Sequence, residues 1–89
     1  MIAKIIKFGA PWCQGCISAD IALDQLSAIN PDIEITKVNI EEDEETPAKY
    51  KVRGLPTLVY LNSKDKEMAR HTGKISIQEI LNTINDDGL

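Results

Sequence analysis

A short apolar run that stops at a glycine and a proline, and gives way at once to a long helical stripe, constrains this chain more than any other feature. Residues 3–8, "AKIIKF", are rich in β-branched side chains and end at Gly9 and Pro11, the pattern of a strand entering a tight loop. From 14 to 29, Cys16, Ala19, Leu23 and Leu26 recur at spacings of three and four, with Ala22 and Ile29 beside them, as one buried helix face requires. Parallel strands joined through such a helix cross over right-handedly, which leaves few topologies open to the remaining residues.

Asn30-Pro31-Asp32 breaks the helix, and "IEITKVNI" at 33–40 is a second strand whose apolar alternation slips in phase near Thr36 and Lys37, the mark of a twist or of burial on both faces. Thr46-Pro47 opens a short helix that Gly54 closes. "TLVYL" at 57–61 and "EMARHT" at 67–72, separated by a polar turn and ended by Gly73, form an antiparallel hairpin. Ser76 and Glu79 make a capping box ahead of Ile77, Ile80, Leu81 and Ile84, an amphipathic last helix, and the tail from 85 to 89 is expected to fray. The order β-α-β-α-β-β-α predicts an α/β fold in a single domain over 1–89, with a four-stranded mixed sheet flanked by helices. Cys13 then falls at the carboxyl end of a central strand, where α/β sheets place their sites.

Bulk properties exclude several roles. With 43% apolar and 27% charged residues the chain has the balance of an ordinary soluble globular protein. No apolar run reaches bilayer length, and Lys4 and Lys7 interrupt what would be a signal peptide's apolar stretch, so a cytoplasmic monomer away from membranes is expected. The net charge of −4 and the run "EEDEE" at 41–45 speak against nucleic acid; that run reads as a solvated loop leading into a helix. His71, the only histidine, reads as a surface residue, and two cysteines with one distant histidine do not supply the four ligands of a zinc site, so no metal is expected.

Both cysteines lie in "PWCQGC" at 11–16. They could be a redox pair, half of a metal site shared between two chains, or two small apolar residues. A crosslink across so short a loop restrains the unfolded chain little, so stapling is a poor account of them. At the first turn of a helix this spacing brings the Cα atoms to about 5–6 Å, the separation of a disulfide. Cys13, at the helix N-terminus, has its thiolate favoured and is the attacking nucleophile; Cys16, one turn inward on the apolar face, is the shielded, resolving thiol.

Together with the rest of the chain the segment resembles the thioredoxin family. "FGAPWCQGC" at 8–16 is similar to that family's active-site stretch, "KVNIE" at 37–41 to the strand after it, "VRGLPTLVYL" at 52–61 to its proline loop and third strand, and Gly73 to its glycine before the last helix. The resemblance implies a minimal thioredoxin fold, a redox-active Cys13–Cys16 disulfide, a cis Leu55–Pro56 bond, and a groove lined by Trp12, Leu55, Pro56, Thr72 and Gly73 that takes an extended substrate segment. It implies a thiol–disulfide oxidoreductase that reduces disulfide-containing proteins, with roles in electron transport and cell redox homeostasis. No cofactor would be bound, electrons coming from an external NADPH-dependent, thioredoxin reductase-like donor. Two alternatives stand beside it: a glutaredoxin-like enzyme recharged by glutathione, and a non-catalytic interaction module on the same fold.

Three departures qualify the resemblance. The family's first strand and helix are absent from this sequence, which exposes a sheet edge. Lys7 occupies the place of a buried carboxylate six residues before the first cysteine, while Lys37 matches the lysine that accompanies it. Lys7 and Lys37 are therefore candidate modulators of thiol ionisation: an ammonium attracts thiolates, a neutral amine acts as a base, and a lysine that runs out to water does neither. Between the cysteines stand Gln14 and Gly15, and glycine leaves the first helical turn less rigid than the family's proline.

Overall fold

A computed structural model describes residues 1–87. Seven elements run in the predicted order: β1 (Lys4–Gly9), α1 (Gln14–Ile29), β2 (Glu34–Asn39), α2 (Glu45–Lys49), β3 (Thr57–Leu61), β4 (Glu67–Thr72) and α3 (Ile77–Asp87). The four strands form one mixed sheet in the order β2-β1-β3-β4; β1 runs parallel to β2 and antiparallel to β3, and β3 and β4 form the hairpin. Among the described residues no helix is long and apolar enough to cross a membrane.

Two apolar layers hold the sheet, and the alternation along β1 divides its side chains between them. Ile5 joins Ala22, Leu23 and Leu26 of α1, Leu58 and Tyr60 of β3, and Ile80 of α3 on one face. Ile6 and Phe8 pack with Val59 and Leu61 on the other, where Val38, Ile40, Tyr50 and Val52 close over them. The central position of β3 explains its unbroken apolar sequence, since every residue from Thr57 to Leu61 is buried.

The phase slip in β2 has a plain cause. This strand lies at an edge, and its two ends pack on different layers: Ile33 and Ile35 support the α1 and α3 side, Val38 and Ile40 the α2 side. The predicted buried stripe of α1 holds at Cys16, Ala19, Ala22, Leu23 and Leu26. Ile29, the last residue of α1, departs from it and is exposed.

α2 begins one residue before Thr46, and its cap comes from within the acidic run. The Asp43 carboxylate accepts from the Glu45 and Thr46 N–H groups at 3.0 Å each and from the Thr46 hydroxyl at 2.6 Å. The Thr46 bonds, from hydroxyl and then backbone, hold Asp43 below the usual carboxylate range. Ser76 caps α3 as predicted, accepting from the Glu79 N–H at 3.2 Å. That helix continues through 85–87, so fraying is not seen there; residues 88 and 89 lie outside the described residues.

His71 is not the surface residue its sequence context suggests. It is half-buried under α3, edge-on to Tyr60 with ring centroids 5.4 Å apart, its Nδ1 bonded to the Tyr60 hydroxyl at 3.1 Å. Thr83 Oγ1 lies 3.4 Å from its other ring nitrogen. Burial pushes the Tyr60 hydroxyl up to about 12.

Candidate active site

β1 delivers the chain to Gly9, a short turn comes next, and α1 starts at Gln14 with Cys13 in the cap position. The Cys13 N–H donates to the Ala10 carbonyl at 3.1 Å, which closes the turn. No side chain caps α1 and no acidic residue lies in its first turn, so the helix's own first turn leaves the partial positive charge of its leading N–H groups beside Cys13. Cys13 and Cys16 are joined by a disulfide, their Cα atoms 5.4 Å apart.

The two sulfur-bearing residues are not equivalent. Both are buried, Cys13 8% and Cys16 4% exposed, but only Cys13 lines an open cavity of about 710 Å³, while Cys16 lies on the inner face of α1. Trp12 and Leu55, both predicted for the groove, line that cavity as well. Its far wall is Ile40, Pro47 and Val52, with Glu44 and Arg53 at hand, residues that sequence reasoning did not assign to a site. The signal available for them was weak: Ile40 reads as the end of the second strand and Val52 as an isolated apolar residue before Gly54, and neither pattern marks a site. Trp12 is 64% exposed, and its indole N–H donates to Glu41 Oε2 at 3.3 Å.

Pro56, Thr72 and Gly73 form a braced strip beside this cavity rather than part of its lining. The Leu55–Pro56 bond is cis. Thr57 Oγ1 donates to the Gly54 carbonyl at 2.6 Å and lies 3.2 Å from Thr72 Oγ1, while the Gly73 N–H donates to the Pro56 carbonyl at 2.9 Å. Gly73 has φ +98°, a conformation that favours glycine. A Cβ on Gly15 would stand 3.0 Å from Pro56 Cδ, so the first turn of α1 and the proline ring are in close approach.

Lys7 is buried, its side chain only 9% exposed, and does not run out to water. Its Nζ lies 2.9 Å from Asp20 Oδ1 on α1, and Lys37 Nζ reaches the same oxygen at 3.4 Å. The two lysines do share one region, and Asp20, which sequence reasoning did not single out, reconciles them. One signal could have found it: Asp20 is four residues from Cys16, so both lie along one side of α1.

Set beside known proteins, residues 2–86 match the family model described as Thioredoxin. Thioredoxin of Rhodospirillum rubrum is 40% identical over 65 residues, 72% of this chain and 61% of that protein. Thioredoxin of Haemophilus influenzae is 31% identical over 85 residues, 94% of this chain and 78% of that one. Among solved structures, Fasciola hepatica thioredoxin superposes with a TM-score of 0.84 at 30% identity, over 93% of this chain and 78% of its own.

Proposed function

We infer that this chain, which belongs to the thioredoxin family and is a thiol–disulfide oxidoreductase of that type, reduces the disulfides of other proteins. The observation that carries the reading is the Cys13–Cys16 disulfide at the head of α1, with Cys13 alone of the two facing the open cavity. In the reduced enzyme the Cys13 thiolate attacks one sulfur of a substrate disulfide; the other sulfur leaves with the bonding pair and takes up a proton. The Cys16 thiolate then attacks Cys13 in the mixed disulfide. The Cys13–Cys16 bond forms, the second substrate sulfur leaves, and two electrons have passed to the substrate.

Trp12 and Leu55 would hold the substrate segment on one side of Cys13, with Pro56, Thr72 and Gly73 bounding the other. The chemistry needs no bound cofactor, and an NADPH-dependent reductase of the thioredoxin reductase kind would return the enzyme to its dithiol. We place this cycle in the cytoplasm and in a monomer. The test is reduction of insulin disulfides by dithiothreitol with catalytic amounts of the protein. Cys13→Ser abolishes the acceleration, and Cys16→Ser accumulates a covalent mixed disulfide through Cys13. Recycling by NADPH with thioredoxin reductase, and not by glutathione with its reductase, fixes the electron donor; the reverse result assigns the glutaredoxin-like alternative.

A further inference from the structure

The dithiol cycle makes no use of the lysine buried beneath its sulfurs. Lys7 stands on β1 opposite Lys37 of β2 on one side and Leu58 of β3 on the other. A methyl group placed on Gly9 would meet Cys16 Sγ at 2.8 Å and Lys7 Nζ at 3.0 Å, so sulfur and ammonium are no more than about 6 Å apart. A lysine stem left to itself extends its charge to water. Here the Asp20 carboxylate, 2.9 Å away, draws it under α1 instead.

The charged groups linked to Lys7 are the Asp20 carboxylate and, through it, Lys37 and Asp24. Lys37 lies 3.4 Å from Asp20 and 3.8 Å from Asp24, whose side chain is 77% exposed and further out. Lys7 is the charge that the geometry brings beside the buried sulfur; Asp20 offsets part of it, and the dielectric there is low enough for the remainder to be felt.

We propose that Lys7, held in place by Asp20, promotes ionisation of the resolving thiol, and that Cys16 is activated by this field rather than by transfer of its proton to a carboxylate. The proposal rests on the assignment of Cys13 as attacker and Cys16 as resolver. In the mixed disulfide, Cys16 releases its proton to water and its thiolate attacks Cys13 Sγ; the bond from Cys13 to the substrate breaks, and the substrate sulfur leaves with the electron pair and takes a proton from water. Lys7 touches no reacting atom and exchanges no proton. It is a positioning residue that acts through Cys16.

The experiment uses the full chain carrying Cys13→Ser, in which Cys16 is the only thiol, and follows thiolate ultraviolet absorbance against pH. A unit charge about 6 Å away at an effective dielectric of about 20 displaces an ionisation by roughly two pH units, of which the Asp20 charge takes back a part. Adding Lys7→Met should therefore raise the midpoint by about one pH unit or more, and Lys7→Arg should return it to within a few tenths. Where Lys7→Met fails to fold, Lys7→Gln, whose amide still donates to Asp20, gives the same reading. A midpoint that does not move in the neutral variants overturns the proposal. Insulin reduction by the unaltered chain separates this failure from that of the reading beneath it: activity with an unmoved midpoint discards the role of Lys7 alone, and inactivity discards the redox cycle.

Discussion

Gly9→Ala tests how tightly the sheet is built against the disulfide. Gly9 does not sit in the left-handed region, so alanine suits its backbone and would add roughly 0.5–1 kcal/mol by restricting the unfolded chain. Against this, the new methyl would stand 2.8 Å from both Cys16 Sγ and Lys7 Cε. The lysine end can swing away; a sulfur fixed in a disulfide cannot. Overpacking of this kind costs about 1–3 kcal/mol, so a net loss of about 1–2 kcal/mol is expected in the oxidised protein. In a domain of this size that lowers the melting temperature by about 5–15 °C. On reduction the Cys16 thiol can rotate, and most of the loss should disappear. The thermodynamic cycle then requires the couple to become easier to reduce, by roughly 30 mV for each 1.4 kcal/mol of difference between the two forms. Calorimetry of oxidised and reduced Gly9→Ala, with equilibration in defined redox buffers, measures both quantities. An oxidised melting point within about 2 °C of the parent, or equal losses in the two forms, refutes the reasoning.

Other substitutions probe separate links. Trp12→Ala should leave stability within about 1 kcal/mol, since the indole is exposed and its bond to Glu41 lies at the surface, yet lower kcat/KM for insulin reduction by about tenfold through lost substrate contact. Tyr60→Phe removes the bond to His71 and should cost about 1 kcal/mol at neutral pH by urea unfolding. The parent has a further alkaline dependence: folded Tyr60 keeps its proton up to about 12, against 10.0 for the ordinary group, so its stability contribution is intact below pH 10 and is lost as pH rises toward 12. Urea midpoints across that range should fall more steeply in the parent than in Tyr60→Phe. Asp43 has the opposite sign: its depressed carboxyl stabilises above the ordinary carboxylate range and is lost on acidification, so Asp43→Ala should flatten the acid limb of the unfolding curve.

What could be read from the chain without a structure was local. The α1 stripe, the hairpin strands and the Ser76 cap each depend on residues a few positions apart, where periodicity carries the information. Cys13 and Cys16 were legible for the same reason, because a helix that starts between them fixes their separation. Contacts between distant segments were not. Lys7 and Asp20 are 13 residues apart, Trp12 and Glu41 29 apart, and each pair forms only once β1, α1 and β2 have packed. His71 shows the same limit: alternation along β4 could not reveal that α3 would cover it and supply Thr83 as a partner.

The placement of the site derives from strand register. β1 and β3 pair with Phe8 opposite Thr57, so the residues just beyond the ladder, Gly9 and Pro56, emerge together at the same end of the sheet. α1 begins five residues after Gly9, too few to carry the chain away, and its first turn brings Gly15 against the Pro56 ring. Cys13 and the proline loop therefore meet without any contact of their own needing to be strong. A slip of one residue between β1 and β3 would turn Leu58 and Tyr60 from the α1 layer to the other and part the two halves of the site at once. That slip would exchange Leu58 and Tyr60 for Val59 and Leu61 between two filled layers and break the Tyr60–His71 bond, and so the packed core, through register, sets the geometry of the redox centre.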